Sequence, residues 1–297
     1  MVYMKCSGLS SKNNNLKSVT MFLRVISAIV GVPILMAAVW AGLPWFSLLV
    51  AIFAALGTME FYKIAERREA QPAVLLGIAW SLCFIISGHK DGWPTPWVAM
   101  GGAALSFCWH SLSYVVRLPF LGRGVAEGRG FKNVVSDWGY TTAGAIYLGW
   151  TLSLFLILRE QANGLEWVLL VLLGTFATDT GAFLIGITIG RRAMVPRVSP
   201  GKTWEGAIGG FTLGAGTAVA VAIWLNLPIS IFQSIVLGAL IGVSAQVGDL
   251  VESVVKRASN MKDSGNLIPG HGGIMDRLDS VVLVIVVVYH FFAWIVK

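Results

Sequence analysis

The feature that most constrains the fold is a series of nine apolar stretches, each close to the length that a helix needs to cross a bilayer. Such a helix requires about 20 residues, and helices and closed barrels alone satisfy their backbone hydrogen bonds in lipid. The stretches lie at residues 24–41, 43–59, 73–88, 96–116, 139–158, 167–189, 206–225, 229–248 and 278–296. We therefore predict an all-α polytopic membrane protein with about nine transmembrane helices.

The composition favours the same fold class. Of the 297 residues, 56% are hydrophobic and 12% are charged, whereas about 25% of residues are charged in typical soluble domains. The mean hydropathy of +0.75 is that of a membrane protein. Residues 1–22 are polar, so we expect this segment to be disordered. Residues 23–297 are predicted to form a single transmembrane domain, from which no soluble domain can be separated.

The net charge of +7 is explained by membrane topology rather than by a nucleic acid partner. Cytoplasmic loops of membrane proteins carry an excess of Lys and Arg. If the N-terminus is cytoplasmic, the alternating loops put all but three of the 22 Lys and Arg residues on the cytoplasmic side. The three exceptions are Lys90, Arg159 and Lys297. We therefore predict a cytoplasmic N-terminus, an extracytoplasmic C-terminus and no nucleic acid binding.

The longest polar interruption in the second half of the chain runs from Asp249 to Ser280, between two predicted spans. Its first part has a helical pattern, in which Asp249, Ser253 and Lys256 follow one another at i, i+4 and i+7. A carboxylate, a hydroxyl and an ammonium group then share one face of the helix. This face suits a metal ion and a phosphate.

The second part of this stretch adds a glycine-rich loop and another pair of acids. The sequence PGHGG at residues 269–273 cannot continue a helix, and its glycines let backbone N–H groups approach an anion closely. Asp276 and Asp279, at i and i+3, begin the next helix with both carboxylates on one side. Two acidic clusters joined by such a loop indicate a divalent metal. A charged loop whose acids only stabilise helix ends is the alternative.

A second polar stretch runs over residues 179–206. Asp179 lies inside a predicted span, where a carboxylate costs about 2.5–3.5 kcal/mol, so it should face a polar interior. The GKT sequence that contains Lys202 is not a P-loop, because Pro196 occupies the position of the required first glycine. Lys202 can bind a phosphate, and Glu205 can be a metal ligand, a base or an early-turn acid.

The first polar stretch resembles the signature of the phosphatidate cytidylyltransferase (CDP-diacylglycerol synthase) family. The matching positions are Ser253, Lys256, Arg257, Lys262, Asp263, the PGHGG loop and the sequence DRLD at Asp276 to Asp279. The second stretch resembles another pattern of this family, SPxKTxEG, but Gly201 stands where many members carry a further base. That departure removes one cation from the expected site.

This resemblance implies transfer of a cytidylyl group from CTP to phosphatidic acid, which yields CDP-diacylglycerol and pyrophosphate for phospholipid biosynthesis. It implies Mg²⁺ as the cofactor, leaves a second cation open, suggests a homodimer, and places the site at the cytoplasmic face of the cell membrane, in loops 190–206 and 249–277. The implied catalytic residues are Asp249, Lys256, Arg257, Asp276 and Asp279, with Asp249 and Asp276 as metal ligands. The implied substrate-binding residues are Ser253, Lys202, Lys262, Asp263, Gly270, His271, Gly272, Gly273, Arg277, Asp179 and Glu205.

Two other functions stay open on the residues alone. A transferase that acts on a polyprenyl phosphate would use the same metal and phosphate chemistry. A cation transporter would use Asp179, Asp249 and Asp276 as an ion path. A transporter predicts acids in mid-membrane, whereas most acids here lie at one edge beside bases that repel a cation.

The N-terminal half of the chain offers little chemistry. Glu60, Glu66 and Glu69 share a short segment with three bases at helical spacing. This pattern is typical of a solvated, salt-bridged helix end. We expect no site residue there.

Overall fold

The computed structural model describes residues 27, 29–89, 95–115, 131–261, 263–265, 267 and 272–296. Within this part of the chain the regular secondary structure is helical apart from one short β-hairpin. The helices are α1 Ile29–Ala41, α2 Trp45–Glu66, α3 Val74–Ser87, α4 Thr95–Val115, α5 Phe131–Gly144, α6 Thr151–Arg159, α7 Gly164–Ile189, α8 Trp204–Trp224, α9 Ile231–Ala258 and α10 Met275–Phe291. A π-helical turn, Ala145–Trp150, joins α5 to α6, and a second, Phe292–Val296, extends α10. The predicted helical fold class is confirmed.

Six of the described helical stretches are long and apolar enough to cross a membrane. They are Trp45–Glu66, Lys132–Arg159, Gly164–Ile189, Trp204–Trp224, Ile231–Ala258 and Met275–Val296. Helices α1 and α3 are apolar but shorter, and α4 is not among the six stretches that meet both criteria. The protein is therefore a multi-pass membrane protein. Each predicted stretch overlaps a described helix, but nine crossings, the orientation of the termini and the disorder of residues 1–22 stay predictions.

Helices α7 and α8 pack closely along their length. A Cβ added at Gly210 would lie 2.7 Å from the carbonyl oxygen of Thr178, and one added at Gly214 would lie 2.0 Å from its hydroxyl oxygen. Small residues allow helix backbones to approach one another in this way. The packing fixes α7, which carries Asp179, against the helix that follows Lys202.

The connection between α7 and α8 contains the β-hairpin. Strand β1, Ala193–Val195, pairs antiparallel with strand β2, Ser199–Thr203. The Thr203 side chain accepts a hydrogen bond from the backbone N–H of Gly206 at 3.1 Å and so begins α8. The sequence predicted only a loop here. The hairpin places Lys202 at the start of α8, on the side of the bundle where α9 ends.

The core of the second half lies among α6, α7, α9 and α10. Leu156, Leu170, Ile241 and Ile285, one from each of these helices, are completely buried and belong to one hydrophobic cluster. Burial of such side chains stabilises a fold by about 1.5–3 kcal/mol each in water, and in lipid the gain comes from close packing instead. This core holds the start of α10 against α9, where the polar residues converge.

Candidate active site

The two acidic clusters of the long polar stretch meet where α9 packs against α10. A Cβ added at Gly248 would lie 2.3 Å from the carbonyl oxygen of Asp279. The two backbones are therefore in direct contact at this point, because glycine leaves no side chain between them. Asp249 follows Gly248 directly, so Asp249 and Asp279 lie close to one another at the contact between α9 and α10.

Lys256 connects α9 to the start of α10. Its Nζ lies 2.8 Å from Oε2 of Glu252 and 2.7 Å from Oδ1 of Asp276. The Lys256 side chain is 12% exposed, that of Glu252 is 0% exposed and that of Asp276 is 8% exposed. Water and salt screen such pairs much less than they screen pairs on the surface. One ammonium group thus forms ion pairs with two carboxylates, one on each helix.

Asp276 also orders the segment between the two helices. Its Oδ2 accepts hydrogen bonds from the backbone N–H of Gly273 at 2.8 Å and of Ser264 at 3.0 Å. Gly272 has a φ of +84°, and a Cβ there would lie 2.5 Å from Asp276 Oδ2. Position 272 therefore needs glycine for its backbone conformation and for space. The N–H of Gly273 is directed to this carboxylate in the structure.

Lys202 joins the second polar stretch to the first. Its Nζ lies 2.8 Å from Oδ2 of Asp249, in an ion pair that lacks the alignment of a hydrogen bond. The hydroxyl of Ser253 lies 3.5 Å from Asp249 Oδ1, which is a long hydrogen bond. The side chain of Asp249 remains 35% exposed. The two stretches, far apart in the sequence, therefore form one site.

Ser280 links two further carboxylates. Its backbone N–H donates to Oδ1 of Asp279 at 2.7 Å, and its hydroxyl donates to Oδ1 of Asp179 at 3.2 Å. Asp179 of α7 therefore contacts α10 through a hydrogen bond. Asp179 is exposed at its position on α7, and its predicted orientation toward a polar interior stays a prediction.

Several of these residues line a cavity of about 620 Å³ that has two chemically different parts. The polar part is formed by Asp179, Asp249, Asp276, Arg277, Asp279 and Ser280. The apolar part is formed by side chains of α1, α2, α6 and α7, among them Leu35, Phe46, Val50, Phe53, Phe155 and Phe176. A molecule bound here would have a charged group at one end and a hydrocarbon portion at the other.

The oxygen donors of the cavity fit a hard divalent cation. Mg²⁺ prefers oxygen ligands and is usually bound by one or two carboxylates, several waters and the phosphates of a substrate. Asp249 and Asp279 supply neighbouring carboxylates. No group of three or more His, Cys, Asp or Glu side chains is placed to hold a metal within the part of the chain that the structure describes. Phosphate oxygens would therefore have to complete the coordination.

Two predicted residues contact backbone instead of the cavity. The Nε of Arg257 donates to the carbonyl oxygen of Val198 at 3.1 Å and so holds the hairpin against α9. Glu205 accepts the backbone N–H groups of Arg191 and Arg192 at 3.1 Å and 3.2 Å. Neither side chain lines the cavity. Their roles in substrate binding stay predictions.

The remaining predicted residues differ in what the structure says of them. Arg277 lines the cavity and is exposed, and Asp263 is exposed in the segment before α10. Lys262, Gly270 and His271 lie outside the described residues. Their predicted phosphate contacts stay predictions.

The expectation of a solvated helix end is wrong for Glu60. Its carboxylate is 1% exposed and accepts hydrogen bonds from the hydroxyl of Ser264 at 3.0 Å and from the N–H of Met275 at 2.9 Å. Glu66 and Glu69 are exposed, as expected. No periodicity or motif connects Glu60 with the distant polar stretch, so only the three-dimensional structure reveals this contact.

Comparison with known proteins agrees with these features. Residues 22–295 match the model of the cytidylyltransferase family. The chain is 27% identical to the phosphatidate cytidylyltransferase of Bacillus subtilis (strain 168), over 91% of this chain and 97% of that protein. It is 32% identical to the phosphatidate cytidylyltransferase of Brucella suis biovar 1 (strain 1330), over 90% of this chain and 92% of that protein. It is also 32% identical to that of Mycobacterium tuberculosis (strain ATCC 25618 / H37Rv), over 78% of this chain and 71% of that protein. Because the family model covers nearly the whole chain, the protein belongs to the cytidylyltransferase family.

Proposed function

We propose that the protein transfers the cytidylyl group of CTP to phosphatidic acid and so makes CDP-diacylglycerol and pyrophosphate in phospholipid biosynthesis. Several relatives that match most of this chain are named phosphatidate cytidylyltransferases. Asp276, Arg277 and Asp279 of the signature that carries the resemblance to that family line the cavity. Both observations support the same reaction.

The observation that carries this proposal is the two-part cavity. Phosphatidic acid has an anionic phosphate and two hydrocarbon chains, and it resides in the membrane that the helices cross. The apolar part, with Phe46, Phe53 and Phe176, suits an acyl chain, and the polar part suits phosphates and their counterions.

The reaction needs positioning and charge neutralisation more than covalent chemistry by the protein. An oxygen of the lipid phosphate attacks the α-phosphorus of CTP, a new P–O bond forms, and the bond to the bridging oxygen of the β-phosphate breaks as pyrophosphate leaves. Lys202, Lys256 and Arg277 supply positive charge in or beside the cavity. A dedicated general base is unnecessary, because the attacking phosphate is already anionic near neutral pH.

We also propose that the reaction depends on Mg²⁺. When bound, the cation neutralises phosphate charge during the transfer. Asp249 and Asp276 are the proposed ligands, with Asp279 beside Asp249, and a second cation stays open. Asp276 engages Lys256 and two backbone N–H groups, so a cation at Asp276 would have to replace one of these partners. Asp249 keeps more of its surface accessible.

The proposed topology has nine crossings, a cytoplasmic N-terminus, an extracytoplasmic C-terminus and the site at the cytoplasmic face. The distribution of Lys and Arg along the chain supports it. The contact of Arg68, after α2, with the carbonyl oxygen of Ala258, at the end of α9, also supports it, since both lie in predicted cytoplasmic segments. A homodimer is proposed from the family resemblance.

The function is tested by incubating detergent-purified protein with CTP labelled at the α-phosphate, Mg²⁺ and phosphatidic acid in mixed micelles. We expect the label to appear in a lipid that comigrates with CDP-diacylglycerol, with release of pyrophosphate. A parallel reaction with a polyprenyl phosphate should give no labelled lipid. Labelling of the polyprenyl phosphate but not of phosphatidic acid would support the other transferase and contradict the proposal.

A further inference from the structure

Glu60 is a buried carboxylate that the chemistry proposed above does not use. It lies near the end of α2 and is 1% exposed. In the described part of the chain, no Lys, Arg or His forms a salt bridge with it. A buried carboxylate is costly unless hydrogen bonds compensate for the lost water. Its hydrogen-bond partners therefore indicate what it does.

Both partners of Glu60 flank the glycine-rich loop. The hydroxyl of Ser264, before the loop, and the backbone N–H of Met275, after it, donate to the same carboxylate oxygen, Oε2. Asp276 accepts from the backbone N–H groups of Ser264 and Gly273. Two carboxylates thus hold the two ends of the loop together, one from α2 and one from α10.

The glycines beside the loop ends fit this arrangement closely. A Cβ added at Gly265 would lie 2.5 Å from Oε1 of Glu60, and one added at Gly273 would lie 2.3 Å from Oε2. Real Cβ atoms essentially never approach an oxygen this closely. The backbone can reach Glu60 only because glycine occupies both positions.

We propose that Glu60 is a positioning residue for the transfer reaction. By holding Ser264 and Met275, it fixes the start of α10 and so sets the position of Asp276 opposite Lys256, at 2.7 Å. The kinetic part of this inference rests on the proposed function, whereas the contact of Glu60 with the loop ends does not. Misplacement of catalytic groups by about 1 Å can cost about 100-fold in rate.

The test compares Glu60→Ala and Glu60→Gln with Glu66→Ala, an exposed acid of the same helix. Both hydrogen bonds to Glu60 use one oxygen, so the amide oxygen of glutamine can accept both. Alanine accepts neither. Hydrogen–deuterium exchange of the segment from Ser264 to Met275 reports on the contact between Glu60 and the loop ends. Steady-state kinetics report on the effect of that contact on turnover. Exchange in residues 231–247 of α9 and the apparent Tm in detergent report on the fold.

We expect Glu60→Ala to raise the exchange rate at Ser264 and Met275 by about tenfold, because both amides lie in the segment that it holds. Its kcat should fall by at least about tenfold, with the KM for CTP changed by less than about threefold. In Glu60→Gln, both exchange and kcat should stay within about threefold of wild type. Glu66→Ala should match wild type in every measurement.

Unchanged exchange at the loop ends in folded Glu60→Ala protein would overturn the inference. The inference would also be overturned if Glu60→Gln were as slow as Glu60→Ala while its exchange was normal. Turnover would then not depend on the hydrogen bonds that position 60 accepts from the loop ends. If wild-type protein makes no CDP-diacylglycerol, the proposed function fails, and the exchange measurement alone decides whether Glu60 positions the loop ends.

Discussion

Replacement of Lys256 by methionine should separate the structural role of its ion pairs from its proposed role in the reaction. Lys256 contacts Glu252, which is completely buried, and Asp276, which is nearly so. Without the ammonium group, Asp276 still accepts hydrogen bonds from two backbone N–H groups. Glu252 loses its ion-pair partner inside the protein. The main cost of the substitution therefore falls on Glu252.

The size of this cost follows from the burial of the pair. Removal of one partner from a buried ion pair destabilises a protein by about 3–5 kcal/mol. Because Lys256 is 12% exposed and water can enter beside it, we expect a value near the lower end, about 3 kcal/mol. The entropy of unfolding is about 2.1 cal/mol/K per residue, so a loss of 1 kcal/mol lowers the Tm of a 297-residue chain by about 1.6 °C, and the apparent Tm should fall by about 5 °C.

The double variant Lys256→Met/Glu252→Leu supplies the control. Replacement of a buried ion pair by apolar side chains of similar volume is often neutral in stability. Thermal unfolding in detergent should therefore show the double variant within about 1 kcal/mol of wild type. Turnover of CTP with phosphatidic acid should remain low in both variants, since neither has the cation. An unchanged Tm in Lys256→Met, or recovered turnover in the double variant, would refute this reasoning.

Three further outcomes test other parts of the account. Leu267 is 45% exposed, so in a cysteine-free background a cysteine placed there should react with impermeant reagents only from the cytoplasm. A reporter fused after Lys297 should be extracytoplasmic. Labelling of the cysteine from outside in intact cells would overturn the proposed orientation. Chelation by EDTA should stop pyrophosphate release and Mg²⁺ should restore it, whereas an unchanged rate would contradict the metal assignment. Gly272→Ala should cost about 1–2 kcal/mol through its positive φ and lower turnover by displacing Asp276. The control is Gly201→Ala, which should change stability by less than about 0.5 kcal/mol because no heavy atom lies within 4 Å of the added Cβ. Equal losses of stability in Gly272→Ala and Gly201→Ala would show that position 272 is not constrained.

Hydropathy was sufficient to locate the helices, because the bilayer requires long apolar segments and the chain supplies them. It did not predict the hairpin between α7 and α8. Strand β2 reads SPGKT, in which Pro200 and Gly201 are poor strand residues and no alternation of apolar and polar residues is present. The hairpin forms from local backbone pairing next to two packed helices.

The site was predictable only where its residues are close in sequence or belong to a recognisable signature. Spacing placed Asp249, Ser253 and Lys256 on one helix face, and the structure agrees. It could not show that Arg257, the next residue, would contact a backbone carbonyl of the hairpin. The contact of Glu60 with Ser264 and Met275 was not predicted, because more than 200 residues separate Glu60 from each partner and no sequence pattern indicates a contact over such a separation.

The central claim is that the carboxylates at the α9–α10 contact carry the transfer reaction. It is tested most directly by the turnover of Asp249→Asn and Asp276→Asn, measured with CTP, Mg²⁺ and phosphatidic acid in folded, monodisperse protein beside a Glu66→Gln control. Asparagine keeps the size and one oxygen of aspartate but removes the charge that a hard divalent cation favours. We expect each variant to lose at least about 100-fold in rate, equivalent to about 2.7 kcal/mol, and the double variant to be little worse than either. Near-normal turnover in either variant would contradict the claim.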